Sequence, residues 1–375
     1  MNSRIWLSPP HLTGEELEYI QNSLSENWVS SVGPDIDKFE NAIQDYLNDD
    51  IEVVALNSGT SAIHLALIQL GVERDDEVIC QSFTFSASVN PVLYLGAKPI
   101  FVDSESDTWN ICPNLLEQAI KDRISKGKKP KAIIAVHLYG MPYKINEIHN
   151  IAKEYEIPII EDAAEALGST YNGQKCGTFG DIGILSFNGN KIITTSAGGA
   201  LICKSKKIKE TIIHLATQAK DDAPHYQHSK IGYNYRISNI LSGIGLAQIK
   251  VINDRVKSRK RNFDYYHSHL TDLSNISFLD DIQDTLTNRW LTSILAESYQ
   301  EREKIRLTLE HSNIESKPLW KPLHLQPVFS KFPSYVNGIS EDLFKRGLCL
   351  PSGSNLTNLD LKKVESAIKQ VDFIK

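Results

Sequence analysis

No run of apolar residues in the 375-residue chain approaches the roughly 18 needed to cross a bilayer. The opening stretch from Met1 to Pro10 also lacks the apolar core of about 7–15 residues that a secretory signal requires, so a cytoplasmic location is expected. Cysteine is scarce: Cys80, Cys112, Cys176, Cys203 and Cys349 are odd in number, far apart and free of any C-x-x-C pair. That pattern excludes a disulfide framework and the common zinc and redox motifs, leaving reduced, mostly buried thiols. Basic excess is missing too. A formal net charge of −6 argues against a general nucleic-acid binder, whose affinity comes from a basic face. The clusters Lys126–Lys131 and Lys257–Arg261 read as solvated turns or helix faces. No G-x-G-x-x-G joins an early strand to a helix, which speaks against a nicotinamide-dependent oxidoreductase. The pairs His225/His228 and His267/His269 have no third ligand nearby, so no metal is expected. Repeats, low-complexity tracts and long linkers are absent as well.

The chain exceeds the size at which one hydrophobic core stops growing, which predicts a large lobe and a smaller one. From about residue 50 to 205 short apolar runs alternate with helical patterns, the mark of a mostly parallel sheet covered by helices. Strands are predicted at Glu52–Leu56, Glu77–Cys80, Lys98–Val102, Ala132–Val136 and Pro158–Ile160, with helices near 60–70, 86–96, 113–126 and 143–155. The segment 236–270 reads as one long amphipathic helix, after which the pattern changes. The expected division is therefore an α/β domain over 1–245, with an N-terminal arm, and a smaller C-terminal α+β domain over 246–375. A cleft between them is the default ligand site.

Ile159-Ile160-Glu161-Asp162 places an acid directly after a buried strand, at the sheet edge where α/β proteins bind ligands. Twenty-four residues beyond Asp162 comes Ser186-Phe187-Asn188-Gly189-Asn190-Lys191, followed by Ser196-Ala197-Gly198-Gly199. Small, flexible residues on both sides of Lys191 let backbone approach a ligand closely. Gly59-Thr60-Ser61 opens a helical segment whose free N–H groups and hydroxyls suit a phosphate. Each feature has a plainer reading when taken alone. Lys191 could be a surface charge, Asp162 the start of a capping box with Glu165, Thr60 and Ser61 an ordinary N-cap, and Phe85 a core residue.

Together, however, Asp162 with its Ala-Ala-Glu-Ala-Leu-Gly tail, Ser186 five residues before Lys191, and Asn57-Ser58-Gly59-Thr60-Ser61-Ala62 resemble fold type I pyridoxal-phosphate enzymes. The chain is most similar to the sugar-nucleotide aminotransferases of the DegT/StrS group. The likeness runs from Leu7 to Asn355 and includes Gly232-Tyr233-Asn234-Tyr235-Arg236 and Pro318-Leu319-Trp320. Within that group it resembles the branch that aminates UDP-4-keto-6-deoxy-N-acetylglucosamine.

The resemblance implies an aspartate-aminotransferase-like α/β fold, pyridoxal 5′-phosphate as cofactor, L-glutamate as amino donor, a UDP-linked sugar as acceptor and a homodimer with a shared site. Lys191 would form the Schiff base and shuttle a proton, while Asp162 would keep the pyridine nitrogen protonated. Thr60, Ser61 and Ser186 would meet the phosphate, and Phe85 would stack on the ring. Glu165 stands where the family often has glutamine near the phenolic oxygen; two anions there repel, so it is either protonated or turned to another donor. Asn234 would reach the partner subunit's phosphate site, and Arg236 would bind an anion or make an ion pair. Trp320 and His324 would offer a face and a polar tip to sugar or uracil, or else pack. Lys317 replaces a family arginine and lacks its two-pronged fork. A lysine rather than a histidine at 191 separates the chain from dehydratase relatives of the same fold. A non-catalytic interaction module remains the rival from another class.

Overall fold

The computed structural model describes residues 4–47 and 50–373. Met1–Ser3 of the opening stretch and the last two residues of the expected C-terminal domain lie outside them. The five expected strands all form, at Glu52–Leu56, Glu77–Gln81, Lys98–Val102, Ala132–Val136 and Ile159–Asp162. They join an eight-stranded sheet in the order 52–56, 199–203, 182–186, 159–162, 132–136, 77–81, 98–102, 334–335. Every neighbouring pair from 182–186 outward to 334–335 is parallel. Gly199–Cys203 alone runs against both of its neighbours.

Helices cover both faces, which is why the central strands are apolar throughout rather than alternating with polar residues. Ala132–Val136 is buried at all five positions. Its successive side chains still go to opposite faces: Ile134 packs with Val54, Leu65 and Ile184 on one side, and Ile133 with Ile79, Ile148 and Ile159 on the other.

Two expected helices are broken. Over 86–96 the chain makes a 3₁₀ turn, Ser86–Ser88, and a short helix, Asn90–Tyr94. Pro91 lacks an N–H and disfavours helical backbone before it, so a single helix cannot run through. Over 236–270 there are two helices, Asn239–Ile249 and Ile252–Leu270, interrupted where Val251 adopts φ −109°, ψ 10°. The first is apolar and packs on helices Glu16–Ser25 and Pro34–Leu47; the second packs on Asn358–Lys369. The break lets each turn its apolar side to a different partner. Residue 245, the expected domain boundary, consequently lies inside a helix.

A second, wholly antiparallel sheet follows, in the order Ile276–Phe278, Thr292–Ala296, Gly347–Leu350, Lys317–Pro318. The chain does not stay on one side. Ile5 bridges to Ile314, and Ser334–Tyr335 returns to pair with the edge strand Lys98–Val102 of the large sheet.

Helix Asn239–Ile249 sits close to its neighbours because of its glycines. A Cβ on Gly245 would lie 2.5 Å from the ring of Phe39, which is itself fully buried. Gly245→Val should therefore destabilise the protein by about 1–3 kcal/mol, the usual cost of overpacking a core. A thermal midpoint no lower than that of the wild type would contradict this packing.

Candidate active site

The strands 182–186 and 199–203 pair with Ser186 opposite Gly199, so they bracket the loop 187–198 that carries Lys191. Strand 159–162 runs parallel to 182–186 with Asp162 opposite Ile184. Both functional groups thus emerge at the C-terminal edge of adjacent strands, the usual ligand edge of such sheets. Helix Gly59–Gln69 starts at the same edge, and its N-terminus is pressed onto the strand behind it: a Cβ on Gly199 would lie 2.3 Å from the Gly59 nitrogen.

These elements enclose a cavity of about 360 Å³ lined by Thr60, Phe85, Asp162, Glu165, Ser186, Lys191 and Trp320 among others. The Asp162 carboxylate is 3% exposed. It accepts a hydrogen bond from Ser88 Oγ at 2.7 Å and another from the Ala164 N–H at 3.1 Å, which leaves acceptor capacity for a ligand donor. Lys191 Nζ lies 3.6 Å from Glu165 Oε1 and 4.2 Å from the centre of the Trp290 ring. The other Glu165 oxygen accepts the Tyr139 N–H at 2.7 Å. Burial pushes the Glu165 carboxyl up, and Asp162 adds to the rise against the opposing pull of Lys191 and the Tyr139 N–H. Glu165 therefore faces a cation and a backbone donor. Tyr139 holds that N–H in place with left-handed backbone, φ +53°.

The profile of the DegT/DnrJ/EryC1/StrS aminotransferase family matches residues 10–369. The chain belongs to that family. EpsN of Bacillus subtilis, named as a pyridoxal phosphate-dependent aminotransferase, is 47% identical over 95% of this chain and 93% of its own. A GDP-perosamine synthase of Escherichia coli O157:H7 is 40% identical over 93% of each chain. A UDP-4-amino-4,6-dideoxy-N-acetyl-β-L-altrosamine transaminase of Campylobacter jejuni is 29% identical over 97% of this chain and 96% of its own. Among solved structures, a DegT DnrJ EryC1 StrS aminotransferase from Brucella abortus superposes with a TM-score of 0.89 at 29% identity, covering 95% of each chain. The α/β architecture of this DegT-family chain is accordingly that of the fold type I aminotransferases.

Four residues singled out in the sequence do not line the cavity. Ser61 turns its hydroxyl to Asn57 Oδ1 at 2.6 Å, while its N–H is capped by Ser58. Arg236 is taken by the Glu40 carboxylate and the Ala55 carbonyl, so the ion-pair reading replaces that of a free anion binder. His324 bonds Ser82 Oγ at 2.7 Å through Nδ1, with Glu341 at 3.4 Å from its other nitrogen, so its ring is tied to the residue that follows strand Glu77–Gln81. Asn234 is exposed, its carbonyl accepting from Asn57 Nδ2. Conversely, Ser88 and Trp290 belong to the site and carry no motif. Ser88 sits three residues beyond Phe85, within reach of a helical-turn argument, whereas nothing local marks Trp290.

His137, Glu161 and Cys176 gather their ligand-type atoms within 4.8 Å of one another in the core. The Glu161 oxygens, however, are already occupied: they accept His137 Nε2 at 2.6 Å and the N–H groups of Gly177, Phe179 and Gly180 at 2.6–2.8 Å. Glu161 thus latches the loop 177–180 behind Asp162. Burial alone would raise its carboxyl, but His137 and the backbone donors outweigh burial and hold it below the ordinary range. A depressed carboxyl stabilises the fold above the unfolded pKa and loses that contribution as pH falls through the folded value. Glu161→Gln should cost about 1–3 kcal/mol near neutrality, and the gap to the wild type should shrink on acidification below about pH 4.3. Denaturation curves across pH that show a widening gap would exclude the latch.

Proposed function

We propose that this aminotransferase, working with pyridoxal 5′-phosphate, moves an amino group from L-glutamate to the keto carbon of a nucleotide-linked 4-keto-6-deoxy sugar. The observation that carries the reading is that the Lys191 amine and the Asp162 carboxylate open into one cavity at a helix N-terminus. The donor set fits the cofactor. A buried carboxylate suits its ring nitrogen, an amine its aldehyde, and the half-exposed Phe85 ring its face. The Gly59 and Thr60 end of the helix, with Ser186, suits its phosphate, in a cradle where a side chain on Gly199 has no room.

The bound cofactor supplies an electron-accepting ring, and the protein supplies the rest. Asp162, oriented by Ser88, holds a proton at the ring nitrogen. Lys191 moves a proton at Nζ, which lies beside the Glu165 carboxyl and over the Trp290 ring. Ser61 acts from behind, fixing Asn57 and the first turn of the helix. Trp320 lies 5.4 Å from Phe85, ring centre to ring centre, and its buried indole N–H has no partner among the described residues, a donor for a substrate oxygen.

The nucleotide is where the expectation shifts. UDP-4-keto-6-deoxy-N-acetylglucosamine remains one candidate, but the relative named for GDP-perosamine is 40% identical and the UDP-sugar transaminase 29%, so a GDP-linked sugar has the stronger support. We also place the enzyme in the cytoplasm, in keeping with five buried, unpaired cysteines. We further infer two lobes meeting near residue 250 and a homodimer in which Asn234 serves the partner subunit's site. Asn234 lies outside its own cavity, and the exposed Leu17, Leu24, Val32, Tyr226 and Ile231 supply an apolar surface for a second copy.

Borohydride reduction of the loaded enzyme followed by peptide mapping should find the cofactor on Lys191, and Lys191→Ala should lose both colour and turnover. Cofactor trapped on another residue would sink the reading. A panel of UDP-, GDP- and TDP-linked 4-keto sugars with glutamate should show turnover with at least one, and most with the GDP-linked sugar.

A further inference from the structure

The carbonyl of Asn190, one residue before Lys191, accepts two side-chain hydrogen bonds. One comes from Ser8 Oγ at 2.8 Å and the other from Trp290 Nε1 at 2.7 Å. Both donors are held from behind by one side chain. Arg259, in helix Ile252–Leu270, donates to the Trp290 carbonyl, to Ser8 Oγ at 3.0 Å and to the Ser352 carbonyl at 3.3 Å. A closed ring results: Arg259 to Ser8, Ser8 to Asn190, Trp290 to Asn190, and Arg259 back to Trp290.

Arg259 is 1% exposed, and its Nε has no partner among the described residues. Among the described residues it pairs with no carboxylate; burial and the nearby Arg255 lower it to about 9. A buried cation satisfied only by neutral dipoles is costly, and an apolar side chain of similar volume would stabilise the fold at least as well. What an apolar side chain cannot do is fix two hydrogen-bond donors on separate segments. Trp290 is fixed from its other end as well. Its backbone N–H donates to Asn288 Oδ1 at 2.9 Å, and Asn288 Nδ2 donates to the carbonyl of Glu165 at 2.9 Å. Trp290 and Glu165, the two groups that face Lys191 Nζ, therefore share a tether.

We propose that Arg259 is a positioning residue for Lys191: through Ser8 and Trp290 it fixes the Asn190 carbonyl, and with it the direction in which the lysine side chain leaves the loop. The proposal rests on the reading of Lys191 as the cofactor-bonding residue. Ser8 lies in the N-terminal arm and Trp290 in a segment 99 residues beyond the lysine, so the clamp gathers three distant parts of the chain on one backbone oxygen.

The test uses Ser8→Ala, Trp290→Phe, which keeps a ring but removes the N–H, and Arg259→Gln. In the cofactor-free protein, hydrogen exchange of peptides spanning 186–198 should quicken in each variant while the rest of the large sheet is unchanged. On adding pyridoxal phosphate, the visible band should develop roughly tenfold more slowly in Ser8→Ala and Trp290→Phe, the effect expected for one lost hydrogen bond. The double variant Ser8→Ala/Arg259→Gln should be slowed by less than the product of the two single effects, because Arg259 acts in part through Ser8. Should Arg259→Gln fail to fold, Ser8→Ala and Trp290→Phe decide the matter. Wild-type exchange in the loop and wild-type band formation in both would overturn the clamp. Lys191→Ala separates the two ideas: a band that still forms there defeats the reading of Lys191, whereas its loss alongside unaffected Ser8→Ala and Trp290→Phe defeats the clamp alone.

Discussion

The site depends on the close approach of a helix N-terminus to the backbone of the strand that follows the lysine loop. Gly199 meets Gly59 and Ser58 at distances that leave no space for a side chain. That contact sets where the first turn of helix Gly59–Gln69 lies relative to Ser186, which pairs with Gly199 across the sheet. The strand order then fixes the rest. Reversal of one strand turns the chain back after the lysine loop, so the amine emerges beside the strand that delivers Asp162. A parallel continuation would have required a crossover and carried the chain away from the ligand edge.

Electrostatically the cavity is an arrangement of two buried acids and one largely buried amine. Asp162 is held by hydroxyl and backbone donors rather than by a cation, which leaves its charge available to a ligand. Glu165 is the acid that meets the lysine, and its raised carboxyl fits a group that can take or release a proton beside Nζ. Two similar side chains three residues apart are thus set to different tasks by what surrounds them.

Much of this was legible in the sequence where the signal is local. The apolar strands, the acid at the end of one of them and the lysine among small residues depend on neighbours a few positions away. Thr60, Asp162, Ser186 and Lys191 stood out on such local grounds, whereas Phe85, Glu165 and Trp320 were marked by the family resemblance; all seven line the cavity. What escaped is set by long-range pairing. The strands at 182–186 and 199–203 carry glycines that weaken their β pattern, and they exist because neighbouring strands complete them. Trp290 and Arg259 lie far along the chain with no motif to mark them. Arg236 and His324 have suitable chemistry for a ligand, yet Glu40, Ser82 and Glu341 reach them first. Helical periodicity could not show the break at Val251, because both halves are helical and only their packing partners differ.

The return of Ser334–Tyr335 to the large sheet, together with the bridge from Ile5 to Ile314, means that the antiparallel sheet is not joined to the large sheet by a simple hinge. Chain passes between the two sheets at the N-terminal arm and again through Ser334–Tyr335, so rotating one sheet against the other would shear backbone hydrogen bonds on the edge strand. Admission of a bulky acceptor must then be accommodated by rearranging side chains and loops at the mouth. Grafting the C-terminal lobe from a relative to change acceptor preference would need to carry the 321–338 excursion and the N-terminal arm along with it.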